Sequence, residues 1–380
     1  MKKLKLMTII GTRPEIIRLS ETIKKADKYF DQILVHTGQN YDYELNQVFF
    51  DDLGLREPDA YLNVVGSNLG ETMGNVLKAS YEIMLKEKPD AVLVLGDTNS
   101  CLSAISAKRL HIPVFHMEAG NRCFDENLPE ETNRRIVDHI SDVNMCYSEH
   151  ARRYLNFEGR PRERTFVTGS PMAEVLRANL DKINSSKVLE TLGLEKGKYI
   201  LLSAHREENI DQEENFFSLM NAVNALAEKY NVPIIYSTHP RSKKFIEKRG
   251  FKFHPLVRSL KPFGFSDYNC LQQNALCVVS DSGTLPEESA FFHSFPAVCI
   301  RTSTERPEAL DKGDFILAGI TTQSVLQAAD MAITAWAEGD PGLDVPNYVE
   351  DCSGKVVKII QSYVSIVMKD VYGVVKNNLM

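Results

Sequence analysis

The sequence predicts an α/β protein made of two Rossmann-like, doubly wound domains that face each other across a cleft. Three observations lead to this fold. The chain has 380 residues, which is more than one compact domain usually holds. Short apolar runs alternate with longer helical patterns, as in βαβ units that build a parallel sheet. The alternation stops in a polar stretch, 180–198, and then starts again.

In the first half, each apolar run ends in a turn and leads into a helical pattern. Strands are expected at Leu4–Ile10, Ile33–His36, Ala91–Leu95, Ile112–Phe115 and Val143–Tyr147, and the half ends at Phe166–Pro171. Helices are expected from Pro14 onward, and over Tyr41–Asp52, Glu71–Lys86 and Glu131–Ile140. Pro14 suits a first helical turn, where its missing N–H is not needed.

The second half repeats this pattern. Strands are expected at Tyr199–Ser203, Pro233–Ser237, Cys277–Ser280 and Ala297–Ile300, with helices over Gln212–Tyr230, from Glu287 onward and over Val356–Val375. We therefore place the domains at 1–180 and 181–355. The C-terminal helix, 356–380, is a candidate to pack back onto the first domain.

Composition excludes several classes of protein. The net charge of −7 argues against a general nucleic-acid binder. No apolar run approaches the ~20 residues that span a bilayer. The start, MKKLKLMTIIGTRPE, imitates a signal peptide, but its apolar part is short and lacks a cleavage site. The 7 cysteines are scattered without a C-x-x-C, which is typical of reduced thiols and gives no zinc site. We expect a cytoplasmic protein without a membrane partner.

A turn of small residues, Ser282-Gly283-Thr284, lies between an expected strand and a helix that contains Pro286 near its start. Small residues let a phosphate approach the backbone, and a helix N-terminus supplies N–H donors. The alternative is a plain strand-to-helix turn. Glu288 would repel phosphate, but it could accept hydrogen bonds from ribose hydroxyls.

Arg13 stands at the first strand-to-helix turn, where an arginine can contact phosphate, and Arg18 follows on the next helical turn. The alternative for both is a surface ion pair with Glu15 or Glu21, which would stabilise little. The chain has neither G-x-G-x-x-G nor G-x-x-x-x-G-K-[ST]. A tightly held dinucleotide and a Walker-type ATPase are therefore disfavoured.

The segment His116–Arg135 reads HMEAGNRCFDENLPEETNRR and concentrates acids beside basic residues. Carboxylates near cations at the end of a parallel strand suit acid/base chemistry. The alternative is a solvated loop and a helix N-terminus, where the dipole favours acids. The acids in question are Glu118, Asp125, Glu126, Glu130 and Glu131.

Asp97 and His205 also follow expected strands. Alone, Asp97 is interpreted as a helix cap, and His205 either as a structural histidine or as an imidazole that orients phosphate. His116 and Glu118 resemble half a metal site, but no third ligand completes it. We expect no metal and no cofactor.

Taken in order along the chain, the motifs GTRPE, GDTNS, HMEAGNR with PEETNR, SAHREEN, SDSGTLPEE and TSTERPE closely resemble the non-hydrolysing UDP-N-acetylglucosamine 2-epimerase family. The resemblance implies a glycosyltransferase-B-like fold, UDP bound mainly by the second domain, a homodimer and no metal. It also implies the roles of individual residues. Catalysis is assigned to Asp97, Glu118, Glu130 and His205. Binding of the UDP-2-acetamido sugar is assigned to Arg13, Arg18, His205, Tyr268, Ser282, Gly283, Thr284, Glu288 and Arg306.

Some positions depart from the usual family pattern. Arg18 replaces a common Lys, Thr284 a common Gly, and Asn121-Arg122-Cys123 a common Leu-Arg-Thr. Gln39-Asn40 replaces a common Gln-His near the place where some members bind a second, activating UDP-sugar. GNRCFDENLPEETNRR and SAHREEN look more like the branch acting on 6-deoxy-L-sugars.

That branch converts UDP-2-acetamido-2,6-dideoxy-β-L-talose to UDP-N-acetyl-β-L-fucosamine for capsule or O-antigen synthesis, and we expect this substrate. The alternatives are a UDP-N-acetylglucosamine/UDP-N-acetylmannosamine 2-epimerase, a glycosyltransferase of the same fold and a UDP-sugar sensor without catalytic activity. A sensor would not need carboxylates at several strand ends.

Overall fold

A computed structural model describes residues 2–38, 49–126 and 128–374 of the protein. The chain divides into two compact units. Unit 1 contains Met1–Val175 together with Pro346–Met380, and unit 2 contains Leu176–Val345. Each unit is a parallel α/β structure, which confirms the predicted fold class.

Unit 1 is built on a seven-stranded parallel sheet with the order β3-β2-β1-β4-β5-β6-β7. Its strands are β1 Lys5–Ile10, β2 Asp31–His36, β3 Ala60–Tyr61, β4 Ala91–Leu95, β5 Val114–Met117, β6 Val143–Cys146 and β7 Thr165–Val167. The α-helices between them, beside a helical turn at 49–53, are Arg13–Tyr29, Leu69–Glu87, Ser103–Arg109, Pro129–Ile140, Glu149–Phe157 and Met172–Ala178. The central strand β4 reads AVLVL and is apolar throughout, in keeping with the burial of every one of its residues.

Unit 2 has a six-stranded parallel sheet with the order β10-β9-β8-β11-β12-β13. Its strands are β8 Ile200–Ser203, β9 Ile234–Ser237, β10 Val257–Leu260, β11 Cys277–Ser280, β12 Ala297–Cys299 and β13 Ile316–Leu317. Its α-helices are Leu180–Asn184, Val188–Leu192, Glu207–Ile210, Glu213–Tyr230, Pro240–Arg249, Phe265–Gln273, Leu285–Phe292, Pro307–Leu310 and Thr322–Ala337.

The last helix, Ser353–Asp370, belongs to unit 1 and packs against the first helix, Arg13–Tyr29. Glu174 holds its N-terminus, because its Oε2 accepts the N–H groups of Cys352 (3.0 Å) and Ser353 (2.8 Å). A carboxylate at this position satisfies orphan N–H groups and complements the helix dipole. Among the described residues, no helix is both long and apolar enough to cross a membrane.

The strand order reverses at one point in each sheet, between β1 and β4 in unit 1 and between β8 and β11 in unit 2. Loops after the carboxyl ends of the strands diverge there and leave the crevice in which α/β proteins bind ligands. Ligand-binding residues are therefore expected in the loops after β1, β4, β8 and β11.

The structure corrects several expected elements. β5 begins two residues later than expected and includes His116. The helix expected from Glu131 begins at Pro129, with proline in its first turn. The expected helix Tyr41–Asp52 lies mostly outside the described residues, as do Gln39 and Asn40. The strands β3, β10 and β13 had not been expected at all.

Candidate active site

The unit 1 switch point places the predicted residues on neighbouring loops. Arg13 opens the helix after β1, Asp97 lies in the loop after β4, and Glu118 directly follows β5. These strands are adjacent in the sheet, so their carboxyl ends share one edge. Arg13 also lies over the ring of Phe49, with its guanidinium carbon 5.9 Å from the ring centroid.

Glu118 and Arg18 form a buried ion pair. The Arg18 Nη1 donates to Glu118 Oε2 at 2.6 Å, and their side chains are only 11% and 6% exposed. Asn121 Nδ2 donates to the other oxygen, Oε1, at 3.3 Å. Such charge-assisted contacts fix a carboxylate in one orientation. Arg18 is buried and pairs with Glu118, so it does not lie in an ion pair at the protein surface.

The backbone at Glu118 adopts the left-handed conformation, with φ at 66°. This conformation is unfavourable for a residue with a Cβ, and it occurs mainly where the surrounding structure imposes it, often at functional sites. Gly96, with φ at 74°, makes room for the carboxylate, since a Cβ there would lie 3.0 Å from Glu118 Oε2. The loop after β4 is therefore shaped to accept this side chain.

Arg134, which the sequence had not singled out, holds Asp97. Its Nε and Nη2 lie 2.8 and 2.7 Å from Asp97 Oδ2. Asn133 donates to the Asp97 carbonyl oxygen at 2.8 Å. Both residues come from the helix Pro129–Ile140. Asp97 is thus bound by two side chains of a following helix, rather than merely capping its own loop.

The adjacent acids Glu130 and Glu131 differ in environment. Glu130 is half-buried in the first turn of its helix. Glu131 is 1% exposed, and its Oε2 accepts from Arg134 Nη1 at 2.9 Å and from the Cys123 thiol at 3.3 Å. Burial raises the pKa of Cys123, so it stays a thiol that can donate. Glu131 therefore has a structural role, and Glu130 is the more accessible of the two.

Glu15 is a further buried acid at this edge that the sequence had not assigned to the site. Its Oε2 accepts the Gly11 N–H at 3.0 Å and the Thr12 hydroxyl at 2.8 Å, and its Oε1 accepts the hydroxyl of Ser100. Burial raises the pKa of Glu15 to about 7, against the opposing hydrogen bonds. Glu15 thus connects the loops after β1 and β4.

His116 lies inside β5 and is 1% exposed. Its Nε2 is 2.9 Å from the Gly96 carbonyl oxygen, and its Nδ1 is 2.9 Å from Asp138 Oδ1. Burial alone would raise the pKa of Asp138, but His116 and Arg122 outweigh it and lower that pKa. His116 therefore connects the loop after β4 to the helix Pro129–Ile140. No three His, Cys, Asp or Glu side chains among residues 2–38, 49–126 and 128–374 are arranged to hold a metal ion.

In unit 2, His205 follows β8 and Asp281 follows β11, at the second switch point. The Oδ2 of Asp281 accepts the backbone N–H groups of His205 (2.8 Å) and Arg206 (2.9 Å). The His205 Nδ1 lies 3.2 Å from Asp281 Oδ1. The sequence had predicted His205 but not Asp281, which binds it.

The turn after Asp281 is held by its own hydroxyls. Ser282 N–H donates to Ser280 Oγ at 3.0 Å, and the hydroxyls of Ser282 and Thr284 are 2.9 Å apart. Thr284 is the N-cap residue of the helix Leu285–Phe292, without a side-chain cap hydrogen bond. Ser282, Gly283 and Thr284 thus lie where the amides of a helix N-terminus can meet an anion.

Glu288 and Tyr268 lie close together next to this turn. Glu288 is 5% exposed and its Oε2 accepts from Gln272 Nε2 at 2.7 Å. Burial, and then the charge of Glu288, raise the pKa of the Tyr268 phenol. Gln272 was missed by the sequence analysis, because nothing in sequence separates it from other helical glutamines.

Arg306 lies at the start of the short helix Pro307–Leu310 and is 1% exposed. Its Nη2 is 3.7 Å from Glu287 Oε2. A guanidinium buried beside a carboxylate is fixed in position and needs little reorganisation to bind an anion.

Comparison with known proteins identifies the family of the chain. A model of the UDP-N-acetylglucosamine 2-epimerase family matches residues 22–361. The chain belongs to this family. It is thus an isomerase that acts on a UDP-sugar, which confirms the predicted family and enzyme class.

The structure of a UDP-N-acetylglucosamine 2-epimerase from Rickettsia bellii is 47% identical, with a TM-score of 0.91 over 98% of this chain and 100% of that one. The epimerase of Methanocaldococcus jannaschii in complex with UDP-GlcNAc and UDP is 33% identical, with a TM-score of 0.87 over 95% and 100%. The UDP-2,3-diacetamido-2,3-dideoxy-D-glucuronate 2-epimerase of Pseudomonas aeruginosa is 33% identical over 342 residues, 89% of this chain and 94% of its own. Members of the family thus act on more than one UDP-sugar.

Proposed function

We propose that the protein inverts C2 of a UDP-2-acetamido sugar by eliminating UDP and adding it back. The observation that carries this proposal is the set of fixed carboxylates at the unit 1 switch point, in a chain of the epimerase family. Asp97 and Glu118 are each held by an arginine, and Glu130 lies nearby in sequence on the helix that supplies one of these arginines. A glycosyltransferase is less well supported, because the family match is to epimerases.

The chemistry follows from the weak acidity of the proton on C2, which has no carbonyl group beside it. Breaking the bond between C1 and UDP develops positive charge at C1 as the C2 proton leaves. UDP and a 2-acetamidoglycal result. Protonation of C2 from the opposite face and return of UDP to C1 give the epimer. The reaction therefore needs cations and N–H donors for the departing diphosphate, and acid/base groups for C2.

The described residues divide between these tasks. Asp97, Glu118 and Glu130 supply acid/base groups, with His205 as an imidazole that can also transfer a proton. In unit 2, Arg306 and the turn at 282–284 would bind the diphosphate, because a helix N-terminus favours negative charge. Glu288, oriented by Gln272, is suited to accept hydrogen bonds from ribose.

For the sugar, we propose UDP-2-acetamido-2,6-dideoxy-β-L-talose as substrate and UDP-N-acetyl-β-L-fucosamine as product. Asn121, in the segment that resembles this branch, contacts the Glu118 carboxylate at 3.3 Å. A residue at that distance can influence which sugar Glu118 accepts. UDP-N-acetylglucosamine is the second candidate, supported by the relatives from R. bellii and M. jannaschii.

With the L-talo substrate, the role would be in capsule or O-antigen synthesis in the cytoplasm. We also propose a homodimer, as the family resemblance implies. Light scattering on the purified protein tests this part, and a monomeric mass would contradict it.

One experiment tests the reaction and the substrate together. The protein is incubated in D₂O with either UDP-sugar and no acceptor. We expect deuterium at C2, with faster incorporation into the L-talo compound. Faster incorporation of deuterium into UDP-N-acetylglucosamine would make that compound the preferred substrate. Sugar that stays unlabelled in both samples would rule out the epimerase reaction for these compounds.

The role of Glu118 is tested by Glu118→Gln, which keeps the shape of the side chain but removes the carboxylate. We expect kcat to fall by about 10²–10⁴-fold, the range of general acid/base catalysis, while UDP affinity changes little. Glu126→Gln is the matched control, because Glu126 is in the same segment with a side chain that is 69% exposed. Turnover of Glu118→Gln equal to that of the control would exclude an acid/base role.

A further inference from the structure

Asp281 connects the loops after β8 and β11 and is completely buried. We propose that Asp281 is a positioning residue, which keeps the proton of neutral His205 on Nδ1 and leaves Nε2 to exchange a proton with the substrate. The identity of that substrate as a UDP-2-acetamido sugar rests on the proposed function. The arrangement of Asp281 and His205 does not.

The two oxygens of Asp281 have different surroundings. Oδ2 accepts the N–H groups of His205 (2.8 Å) and Arg206 (2.9 Å), and the amide of Asn209 (3.1 Å). Its acceptor capacity is therefore used by the loop itself. Oδ1 is buried as well, and none of the described residues completes a well-aligned hydrogen bond to it. Since leaving a buried carboxylate oxygen unsatisfied is unfavourable, the neighbouring Nδ1 of His205, at 3.2 Å, is its natural donor.

The charge on Asp281 decides which ring nitrogen carries the proton. Burial would raise the pKa of Asp281, but the charge and hydrogen bond of His205, the N–H of Arg206 and the charge of Arg206 outweigh it and lower that pKa to about 2. At neutral pH the side chain is thus a carboxylate, which can only accept hydrogen bonds. A neutral imidazole facing it must place its hydrogen on Nδ1.

This leaves Nε2 with its lone pair available. The His205 side chain is 40% exposed, so the ring is accessible although one edge of it faces a buried group. The ring of His239 lies 5.4 Å from that of His205 between centroids, and its Nδ1 accepts the Arg241 N–H at 3.2 Å. Nε2 can take up one proton, giving an imidazolium whose charge faces Asp281, and can return it later in the cycle.

The direct test is the tautomer of His205 in the unaltered protein. Long-range ¹H–¹⁵N correlation spectra of histidine-labelled protein, at a pH where the ring is neutral, separate the two forms. The resonance is assigned from its loss in His205→Gln. We expect the Nδ1–H form to predominate. Predominance of the Nε2–H form, which is commoner in free histidine, would overturn the proposal without any substitution at Asp281.

The second test uses Asp281→Asn, whose amide can donate to Nδ1 and so should reverse the tautomer. We expect kcat to fall by about 10²-fold or more, with UDP affinity changed by less than about 3-fold. His205→Gln combined with Asp281→Asn should be no slower than His205→Gln alone, because the two residues act as a unit. Losses that multiply in the double variant would overturn the proposal.

Asn209→Ala is the matched control, since Asn209 donates to the same carboxylate but not through the ring. It should keep the Nδ1–H form. The two proposals fail separately. An Nδ1–H ring in a protein that labels neither sugar supports the positioning role and removes the epimerase reaction, whereas an Nε2–H ring in an active epimerase removes only the positioning role.

Discussion

Both units connect the two loops of their switch point through one buried carboxylate, but the partners of that carboxylate differ. In unit 1, Glu15 meets hydroxyls and a single backbone N–H, and burial raises its pKa to about 7. In unit 2, Asp281 meets two backbone N–H groups, an amide, a histidine and an arginine, and its pKa is lowered to about 2 despite its burial.

The first six strands of the unit 1 sheet follow the same order as the six strands of unit 2, so topology does not explain this difference. Neutral hydroxyl donors do not offset the loss of hydration of a buried carboxylate, whereas cations and converging N–H groups do. The link between the two loops is therefore a proton-holding group in unit 1, where it comes from the helix after β1, and a permanent negative charge in unit 2, where it comes from the loop after β11.

The largest effect is expected where unit 1 itself uses a cation. Arg18→Met removes the guanidinium beside the buried Glu118, and loss of one partner of a buried pair typically costs about 3–5 kcal/mol. Unfolding in urea measures it. Arg152→Met is the matched control, because Arg152 pairs with Glu149 at the surface, where we expect less than about 1 kcal/mol. If both variants lost the same free energy of unfolding, a cationic partner would matter no more for a buried carboxylate than for an exposed one.

The next effect depends on pH. Folding raises the pKa of Glu15 from its ordinary 4.5 to about 7, so the folded state holds this proton more tightly. The resulting stabilisation is complete below pH 4.5 and is lost as the pH rises through about 7, a change of about 3 kcal/mol.

The glutamine in Glu15→Gln cannot ionise. The free energy of unfolding of the unaltered protein minus that of the variant should therefore decrease as the pH rises over this range. Measuring the difference matters, because burial also raises the pKa of Asp314, to about 8, and that contribution is common to both proteins. A difference that stays constant with pH would show that Glu15 does not hold its proton more tightly when folded.

A smaller effect than these two is expected from Asp281→Asn at neutral pH. Replacing an ionised acceptor of N–H groups by a neutral amide should lower the free energy of unfolding by about 2 kcal/mol. Glu15→Gln, measured below pH 7, should cost less than about 1 kcal/mol, because Glu15 is largely protonated there. Calorimetry of the two variants measures both losses. A larger loss in Glu15→Gln than in Asp281→Asn would contradict the proposed difference between the two buried carboxylates.

Much of the fold could be predicted from the sequence, because buried parallel strands are continuous apolar runs. β4 and β11 were placed with their observed bounds for this reason. β5 was misplaced because it contains His116, a polar residue whose partners lie elsewhere in the chain. The edge strand β10 reads VRSL and is only partly buried, so it carries little apolar signal.

The candidate site was harder to predict beyond its motifs. Arg13, Asp97 and Glu118 stand directly after strands, where sequence alone marks them. The residues that support the site come from other helices: Arg134 reaches Asp97 from a following helix, and Gln272 reaches Glu288 from another. Side chains that hold others in place have no local pattern, so the sequence does not distinguish them from ordinary helical residues.

The return of the chain to unit 1 has a consequence for folding during synthesis. Unit 2 is one continuous segment, Leu176–Val345, whereas unit 1 also needs the helix Ser353–Asp370, whose N-terminus Glu174 holds. Domains usually fold in the order in which the ribosome releases them. Unit 1 is complete only when its final helix has been made, so unit 2 can complete its structure before unit 1 does.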